Sequence, residues 1–379
     1  MPLSSVFDCV VLIPSLHPDE KLLHYVQGLQ EHGFHSILVV DDGSGDKYQD
    51  IFKQIANFES CTVIGYEKNK GKGHALKHGM RYILEHYKGT PGVITADSDG
   101  QHTVDGVMGV AQKMLEKPSA LVLGSRNLKE DNVPFRSRFG NTLTSFFFAL
   151  LYGHYLPDTQ TGLRGISTEL IPDMLKIDGN RFEYEMNMLT VCALKKIPFE
   201  IVGIKTIYIE ENKSSHFNPI KDSLRIYKHL FGNFFKYLFS SFASFLIDIG
   251  VFTLLDAFLL KALFTNNLGG QDAYLHTYVA TAVARITSAT FNYFLNKKIV
   301  FNNGQKRGSG LRYATLAIAS LLVSGGASNS IYRLFSQKVN KSFIKAVVDT
   351  VLYFVNYRIQ KAWVFPYADN KEKNNVKKN

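Results

Sequence analysis

Short β-branched runs alternate with amphipathic stretches through the first part of the chain. Cys9–Pro14 (CVVLIP), Ser36–Asp42 (SILVVDD), Cys61–Tyr66 (CTVIGY), Gly92–Asp99 (GVITADSD) and Ala120–Arg126 (ALVLGSR) read as strands, and Asp19–His32 and His74–His86 as helices. That alternation predicts βαβ units, hence a mostly parallel sheet covered by helices on both faces. Ligands of such sheets bind beyond the carboxyl ends of the strands. The polar runs DDGS and DSDGQH stand at two of those ends.

The pattern changes near residue 230. Four apolar segments follow, Phe239–Leu260, Tyr274–Leu295, Tyr313–Tyr332 and Lys345–Phe365, each near the roughly 20 residues that cross hydrocarbon. Asp248, Asp256, Arg285, Asp349 and Arg358 interrupt them. Just before them, Asn218–Lys236 is basic and amphipathic, which suits a helix lying in the membrane interface. Four crossings would return the C-terminus to the side of the first half. Lys297, Lys298, Lys306, Arg307 and Arg312 would then face the cytoplasm, as positive-inside placement prefers, whereas Arg333, Lys338, Lys341 and Lys345 would lie outside, against it.

This half repeats itself. Lys236–Gly250 matches Arg312–Gly326, with Ala243, Ser244, Leu246 and Gly250 recurring, and Asn292–Phe301 matches Asn356–Phe365. The unit is a two-helix hairpin used twice in one orientation, which makes the repeats parallel. Arg285, Asn292 and Asn296 share a helix face, and Asp349, Asn356 and Gln360 hold the equivalent places. Charges within a membrane are usually paired or face a polar cavity, so Arg285 and Asp349 are expected to face one another, or a common cavity, across a pseudo-twofold axis.

Composition narrows the choice. The 379 residues suit two domains, and a net charge of +10 suits an anionic partner. The basic residues are scattered and follow phosphate-handling loops, which disfavours nucleic acid. Cys9, Cys61 and Cys192 lack zinc spacing and read as reduced thiols. The N-terminal residues have no basic region and carry Asp8 inside a short apolar run, so they do not read as a signal peptide, and the first half is expected in the cytoplasm.

Several polar runs carry chemistry. Asp97 and Asp99, at i and i+2 on a turn (DSDGQH), can converge on a hard cation that bridges substrate phosphates. Lys68–Gly73 (KNKGKG) is a basic, glycine-containing loop opening a helix, suited to phosphate. Arg126 ends the fifth strand, Arg136 and Arg138 add guanidiniums, and Asp158–Gly165 (DTQTGLRG) is more polar than a surface turn requires.

Together with FEYEMNML and SHFNPIKDSLRIY, these runs resemble family 2 glycosyltransferases of GT-A fold, in the polyprenyl-phosphate branch that includes dolichyl-phosphate mannose synthases and GtrB-type enzymes. KYLFSSF, FNYFLNKKIVF and VNYRIQKAWVF resemble the GtrA-like four-helix membrane family. The resemblance implies an α/β GT-A (Rossmann-like) domain over 1–217, an amphipathic linker over 218–235, an all-α four-helix transmembrane domain of two tandem hairpins over 236–366, and a basic cytoplasmic tail over 367–379. It places the nucleotide against Pro14, Asp42, Lys72, Asp97, Ser98 and Asp99, and Mg2+ or Mn2+ on Asp97, Asp99 and Gln101. Arg126, Arg136 and Arg138 would grip the acceptor phosphate or the pyrophosphate, Asp158 and Gln160 would sit beside the reacting sugar, and Glu183 would approach it. His17 departs from the Asn frequent in the family.

The implied activity is inverting transfer of a sugar from a UDP- or GDP-sugar to undecaprenyl phosphate, at the cytoplasmic face of the cell membrane, for cell-envelope glycan modification. The multi-pass domain would anchor the enzyme or translocate the lipid-linked sugar, and so small a bundle brings a homo-oligomer into the reading. Two alternatives stand beside it. A processive polysaccharide synthase would carry a Gln-x-x-Arg-Trp segment after the catalytic region, but the single Trp is Trp363. A transport or scaffold protein with an inactive transferase half would have lost some of the charged runs.

Overall fold

The computed structural model describes residues 5–128, 133, 135–205, 221–256, 275–301, 308–334 and 339–366. The chain forms two compact units, Met1–Leu230 and Phe231–Asn379.

The first unit is built on a seven-stranded sheet, β1 (Val10–Ser15), β2 (Ile37–Asp41), β3 (Cys61–Gly65), β4 (Gly92–Thr95), β5 (Leu121–Arg126), β6 (Arg164–Ser167) and β7 (Phe199–Ile204). Its spatial order is β3-β2-β1-β4-β6-β5-β7. All pairings are parallel except those of β6, which runs antiparallel to β4 and to β5. The central strands β1, β2 and β4 are buried at every position, as continuous apolar runs require when helices cover both faces. β3, at one edge, is only half-buried.

The helices between strands are α1 (Glu20–Glu31), α2 (Gln49–Ala56), α3 (Lys72–His86), α4 (Val104–Glu116), α5 (Phe135–Tyr152), α6 (Ile171–Met174) and α7 (Glu183–Lys195). Side chains cap two of them where the sequence supplies the residue type: Asp19 accepts from the Lys21 amide, and Thr103 from the Gly106 amide. α3 has no side-chain cap. Its first turn stands at the carboxyl edge of the sheet, where a bound anion can take that role.

The helix α8 (Lys221–Thr253) begins in the first unit and continues into the second, where α9 (Leu275–Leu295), α10 (Ser309–Leu334) and α11 (Lys341–Ile359) are the other long helices among the described residues. Two spans, Leu230–Asp256 and Ser309–Leu334, are long and apolar enough to cross a membrane. The other two expected crossings fall short on apolarity, since α9 carries Arg285, and α11 carries Lys345, Asp349 and Arg358. The basic tail 367–379 and Lys306, Arg307 and Lys338 lie outside the described residues, as does 218–220 of the expected linker.

The internal repeat is visible in the contacts. α9 and α11 each end in a π-helical turn at equivalent places, Asn296–Val300 and Gln360–Val364. The equivalents Asn296 and Gln360 meet, amide to amide, at 3.0 Å, and the equivalents Phe301 and Phe365 stack with ring centroids 5.3 Å apart. Tyr237 packs on Tyr357 and its counterpart Tyr313 on Tyr293, at 5.3 and 5.5 Å between centroids. Tyr313 donates to Asn292 Oδ1, and Tyr237 accepts from Gln360 Nε2.

The structure corrects the pairing expected across this axis. Arg285 Nη1 lies 3.4 Å from Asp248 Oδ2 within the first hairpin. Asp349 bonds Lys345 at 2.9 Å and Ser324 within the second. Asp248 and Ser324 are equivalent positions, as are Arg285 and Asp349, so each hairpin satisfies its own charge locally. What meets on the axis is the uncharged amide pair, which is cheaper to bury than an ion pair.

Candidate active site

Successive strand ends deliver the site. β1 ends in Ser15 and β2 in Asp41; β4 leads into Asp97, β5 ends in Arg126, and the loop 158–163 enters β6. Since β4, β6 and β5 are adjacent and Thr95 pairs with Arg164 and Arg164 with Leu123, these ends are lateral neighbours at strand spacing, about 4.8 Å apart.

Pro14, Asp42, Lys72, Asp97, Ser98 and Asp99 line one cavity of about 320 Å³, together with His17, Arg181 and Phe182. That volume is at the lower end of small-molecule sites, about 300–1,000 Å³. The six residues come from four separate strand–helix connections, and the fold brings them together.

Asp42 works mostly inward. Its carboxylate accepts from Tyr66 Oη at 2.6 Å, Asn69 Nδ2 at 3.2 Å, the Lys70 amide at 2.9 Å and the Gly71 amide at 2.9 and 3.0 Å. It therefore shapes the loop that opens α3. Gly71 is required there: its φ is +100°, and a Cβ would meet Asn180 O and Arg181 Cγ at 2.6 Å. His17 also has positive φ, 52°, and is held by its amide to Ser44 Oγ at 3.0 Å and by stacking on Tyr48 at 4.7 Å.

Lys72 sits among the acids. Its Nζ is 2.6 Å from Asp97 Oδ1 and 3.0 Å from Glu185. Burial lowers the Lys72 pKa, but Asp97 and Glu185 outweigh it and the net shift is upward. For Asp97, burial raises the pKa, while Lys72 and then His102, 3.3 Å away, pull it well below the usual carboxylate range. Asp99 is shifted up by burial and by the charge of Asp97. Ser15 Oγ and His102 Nδ1 are buried without a hydrogen-bond partner among the described residues.

These residues fit a divalent metal of the substrate-assisted kind. Two carboxylates from one turn line the same cavity, and the repulsion that disfavours ionised Asp99 is what a cation relieves. Among the described residues no group of three or more His, Cys, Asp or Glu side chains forms a cage. Mg2+ is commonly bound by one or two carboxylates completed by substrate phosphates. Gln101 is buried, and its amide donates to Asp99 Oδ1 at 3.1 Å, which stiffens the turn.

Arg126 and Asp158 form a two-point ion pair, Nε to Oδ2 at 2.6 Å and Nη2 to Oδ1 at 3.0 Å. Asp158 is fully buried and also accepts from the Arg126 and Gln160 amides. Its capacity is spent on holding Arg126 and the loop. Asn141 of α5 braces the same loop, donating to Pro157 O and accepting from the Thr159 amide and hydroxyl. Arg138 lies one turn before Asn141 on that helix; the Arg136 side chain lies outside the described residues. Gln160 is exposed. Arg126, Asp158, Gln160, Gln101 and Arg138 are not among the cavity's lining residues.

Glu183, expected near the sugar, accepts from the Asn180 and Arg181 amides and closes the start of α7. Glu185, two residues on, is the acid that reaches the site. FEYE showed both, but only the packing of α7 decides which one points to Lys72. Arg164, buried in DTQTGLRG, was also missed as a support: it donates to Glu185 O at 2.7 Å and to Thr161 O at 3.1 Å.

A family profile described as glycosyl transferase family 2 matches residues 20–173, and one described as the GtrA/DPMS transmembrane domain matches residues 236–365. The chain is 32% identical over 217 residues to a UDP-N-acetylglucosamine–dolichyl-phosphate N-acetylglucosaminyltransferase of Methanococcus voltae, covering 53% of this chain and 86% of that one. It is 31% identical over 214 residues to an uncharacterised protein of Methanocaldococcus jannaschii, covering 55% and 86%. It is 26% identical over 202 residues to the dolichyl-phosphate beta-glucosyltransferase of Saccharomyces cerevisiae, covering 47% and 58%.

Proposed function

The chain belongs to family 2 of the glycosyl transferases, in its polyprenyl-phosphate branch and joined to a GtrA/DPMS transmembrane domain, and from that premise we propose that it transfers a sugar from a UDP- or GDP-sugar to undecaprenyl phosphate at the cytoplasmic membrane face. The observation that carries this reading is the single cavity on which Asp42, Lys72, Asp97 and Asp99 converge.

The roles follow from the geometry. The loop shaped by Asp42, together with His17 on Tyr48, offers a slot for the nucleobase and ribose. Lys72 and the uncapped first turn of α3 take the diphosphate. Asp97 and Asp99 would hold Mg2+ or Mn2+, whose charge would help neutralise the departing nucleotide. Arg126, aligned by Asp158, and the arginines of α5 receive the acceptor phosphate, and Gln160 addresses the sugar.

No strong base is required of the protein. A phosphate monoester has a second pKa near ~6 and is largely dianionic at neutral pH, so it can attack the anomeric carbon without losing a proton. Inversion follows from a single displacement. The enzyme's task is to align two anions and cancel their repulsion, which positioned guanidiniums and an ammonium do. Asp158, spent on four hydrogen bonds, is an orienting group in this scheme.

The membrane unit is proposed to cross the bilayer four times and to anchor the catalytic unit. The polar residues of α9 and α11 favour anchoring over transport, because Asn292, Asn296, Asn356 and Gln360 are bonded to one another or to Ser244, Ser320, Tyr313 and Tyr237.

The test is direct: membranes bearing the full chain are incubated with a panel of UDP- and GDP-sugars and undecaprenyl phosphate. One donor is expected to yield a lipid-linked monosaccharide. Absence of product with every donor, from protein that is folded, overturns the reading.

A further inference from the structure

The Asp97 carboxylate already has a cation. Lys72 Nζ stands 2.6 Å from Asp97 Oδ1 and 3.0 Å from both Glu185 oxygens, so one ammonium is divided between the DSD turn and α7. A metal on Asp97 would need the same lone pairs. Asp97 cannot escape by moving: His102 holds its other oxygen at 3.3 Å, and a Cβ on Gly162 would collide with the carboxylate, so the loop before β6 lies hard against it. Thr95 pins that loop by donating to Gly162 O at 2.7 Å.

Lys72, by contrast, has somewhere to go. Its stem is flexible, and Glu185 is a second carboxylate within reach. Glu185 is fixed from behind by Arg164, which is fully buried and donates to its carbonyl at 2.7 Å. Phe182, with its ring 5.9 Å from Nζ, keeps the ammonium on the cavity side.

We propose that Lys72 is a resident counter-cation of Asp97 that a divalent metal must displace, and that Glu185 retains the displaced ammonium beside the donor diphosphate, so that metal and donor bind cooperatively. This rests on the nucleotide-sugar reading of the cavity. The coupling has a simple electrostatic origin. A metal arriving alone gains two carboxylates but must break the pair between Lys72 and Asp97. A metal arriving with a diphosphate gains phosphate oxygens, and the displaced ammonium gains an anion of its own. Linkage then requires that the diphosphate tighten metal and the metal tighten diphosphate by the same factor.

The test is Mn2+ binding to the full chain in detergent, read by electron paramagnetic resonance of free Mn2+, alone and with saturating UDP or GDP. In the wild type, the preferred nucleotide is expected to tighten Mn2+ by about 5-fold or more, within the usual range for such coupling. Lys72→Met should tighten Mn2+ alone and shrink the nucleotide effect several-fold. Lys72→Arg should keep the wild-type coupling. Glu185→Gln is nearly isosteric and leaves Asp97 as the one negative charge paired with Lys72 in this contact, so it should weaken Mn2+ alone; it carries the test if Lys72→Met does not fold. An unchanged nucleotide effect in Lys72→Met, or unweakened Mn2+ binding in Glu185→Gln, overturns the proposal. No turnover enters the readout, so a failure of sugar transfer leaves this result standing and falls on the functional reading alone.

Discussion

Arg126 and Asp158 are held together at two points, 2.6 and 3.0 Å, with the acid fully buried and the guanidinium about one-fifth exposed. That asymmetry predicts unequal mutants. Removing one partner of a buried pair costs about 3–5 kcal/mol, because the other charge is left uncompensated. Arg126→Ala leaves a buried carboxylate with no counter-charge and only the backbone amides of residues 126 and 160, and should approach that range. Asp158→Ala leaves an arginine that can turn to water and should cost less. Thermal melts of the purified variants measure the order, and equal losses would mean that the exposure of Arg126 brings no relief. Loss of activity in either variant is interpretable only beside its melt.

Asp97→Ala and Asp99→Ala should both abolish lipid-linked product, yet differ in stability. Asp97 is paired with Lys72 and His102, so its removal leaves Lys72 to Glu185 alone and should lower the melting temperature. Ionised Asp99 is disfavoured by burial and by Asp97, so its removal should leave the melting temperature unchanged or raised. Product formation and melting of both proteins check this. Full activity in both, or in excess chelator, would remove the metal from the mechanism.

Strand ends carried most of the legible chemistry. The five strand runs read from the sequence are β1 to β5 to within one residue, except that β4 stops at Thr95, four residues before the expected Asp99, because central strands are apolar throughout and the polar DSD belongs to the turn that follows. β6 and β7 were not readable. β6 is only Arg164–Ser167, and its antiparallel insertion between β4 and β5 is set by tertiary packing rather than by any local pattern. At the site, DSD and KNKGKG were legible because they follow successive strands in order, where polar loops gather at one edge of the sheet. The division of labour within FEYE was not, since Glu183 and Glu185 differ only in which way α7 turns them. In the membrane unit the repeat was legible but the pairing was not: sequence equivalence shows which positions correspond, not whether each charge finds its partner within its own hairpin.

Acid should loosen the nucleotide slot before it unfolds the chain. His74 and His78 of α3 both pack edge-on against Tyr66, whose hydroxyl donates to Asp42. Burial lowers the pKa of both, and Lys70 and its cationic neighbours lower it further. The unfolded chain therefore takes up protons first, and stability should fall as pH drops through about 6.5, the unperturbed histidine value, levelling off below the folded values. His74→Gln with His78→Gln should flatten that slope in melts between pH 7.5 and about 5. An unaltered slope would place the acid sensitivity elsewhere.

The axis of the membrane unit offers a cycle in which two single changes, added together, should cost more than the double change. Asn296 and Gln360 are both buried and bonded at 3.0 Å, and Asn296 also donates to Asn292 at 2.7 Å. Replacing either by Leu takes one partner from the other amide, leaving Gln360 Oε1 without its donor or Asn296 with Asn292 alone, and a buried polar atom left unsatisfied costs about 1–3 kcal/mol. Replacing both removes the stranded group as well as the bond. Hydrogen bonds between membrane helices are commonly worth about 0.6 kcal/mol and at most about 1.7, so the pair should couple on that scale. Asn296→Leu, Gln360→Leu and the double variant, compared by unfolding in detergent, measure the coupling. Strict additivity would mean that the two hairpins are held by the aromatic contacts, Phe301 on Phe365 and the two tyrosine pairs, with the amides passive between them.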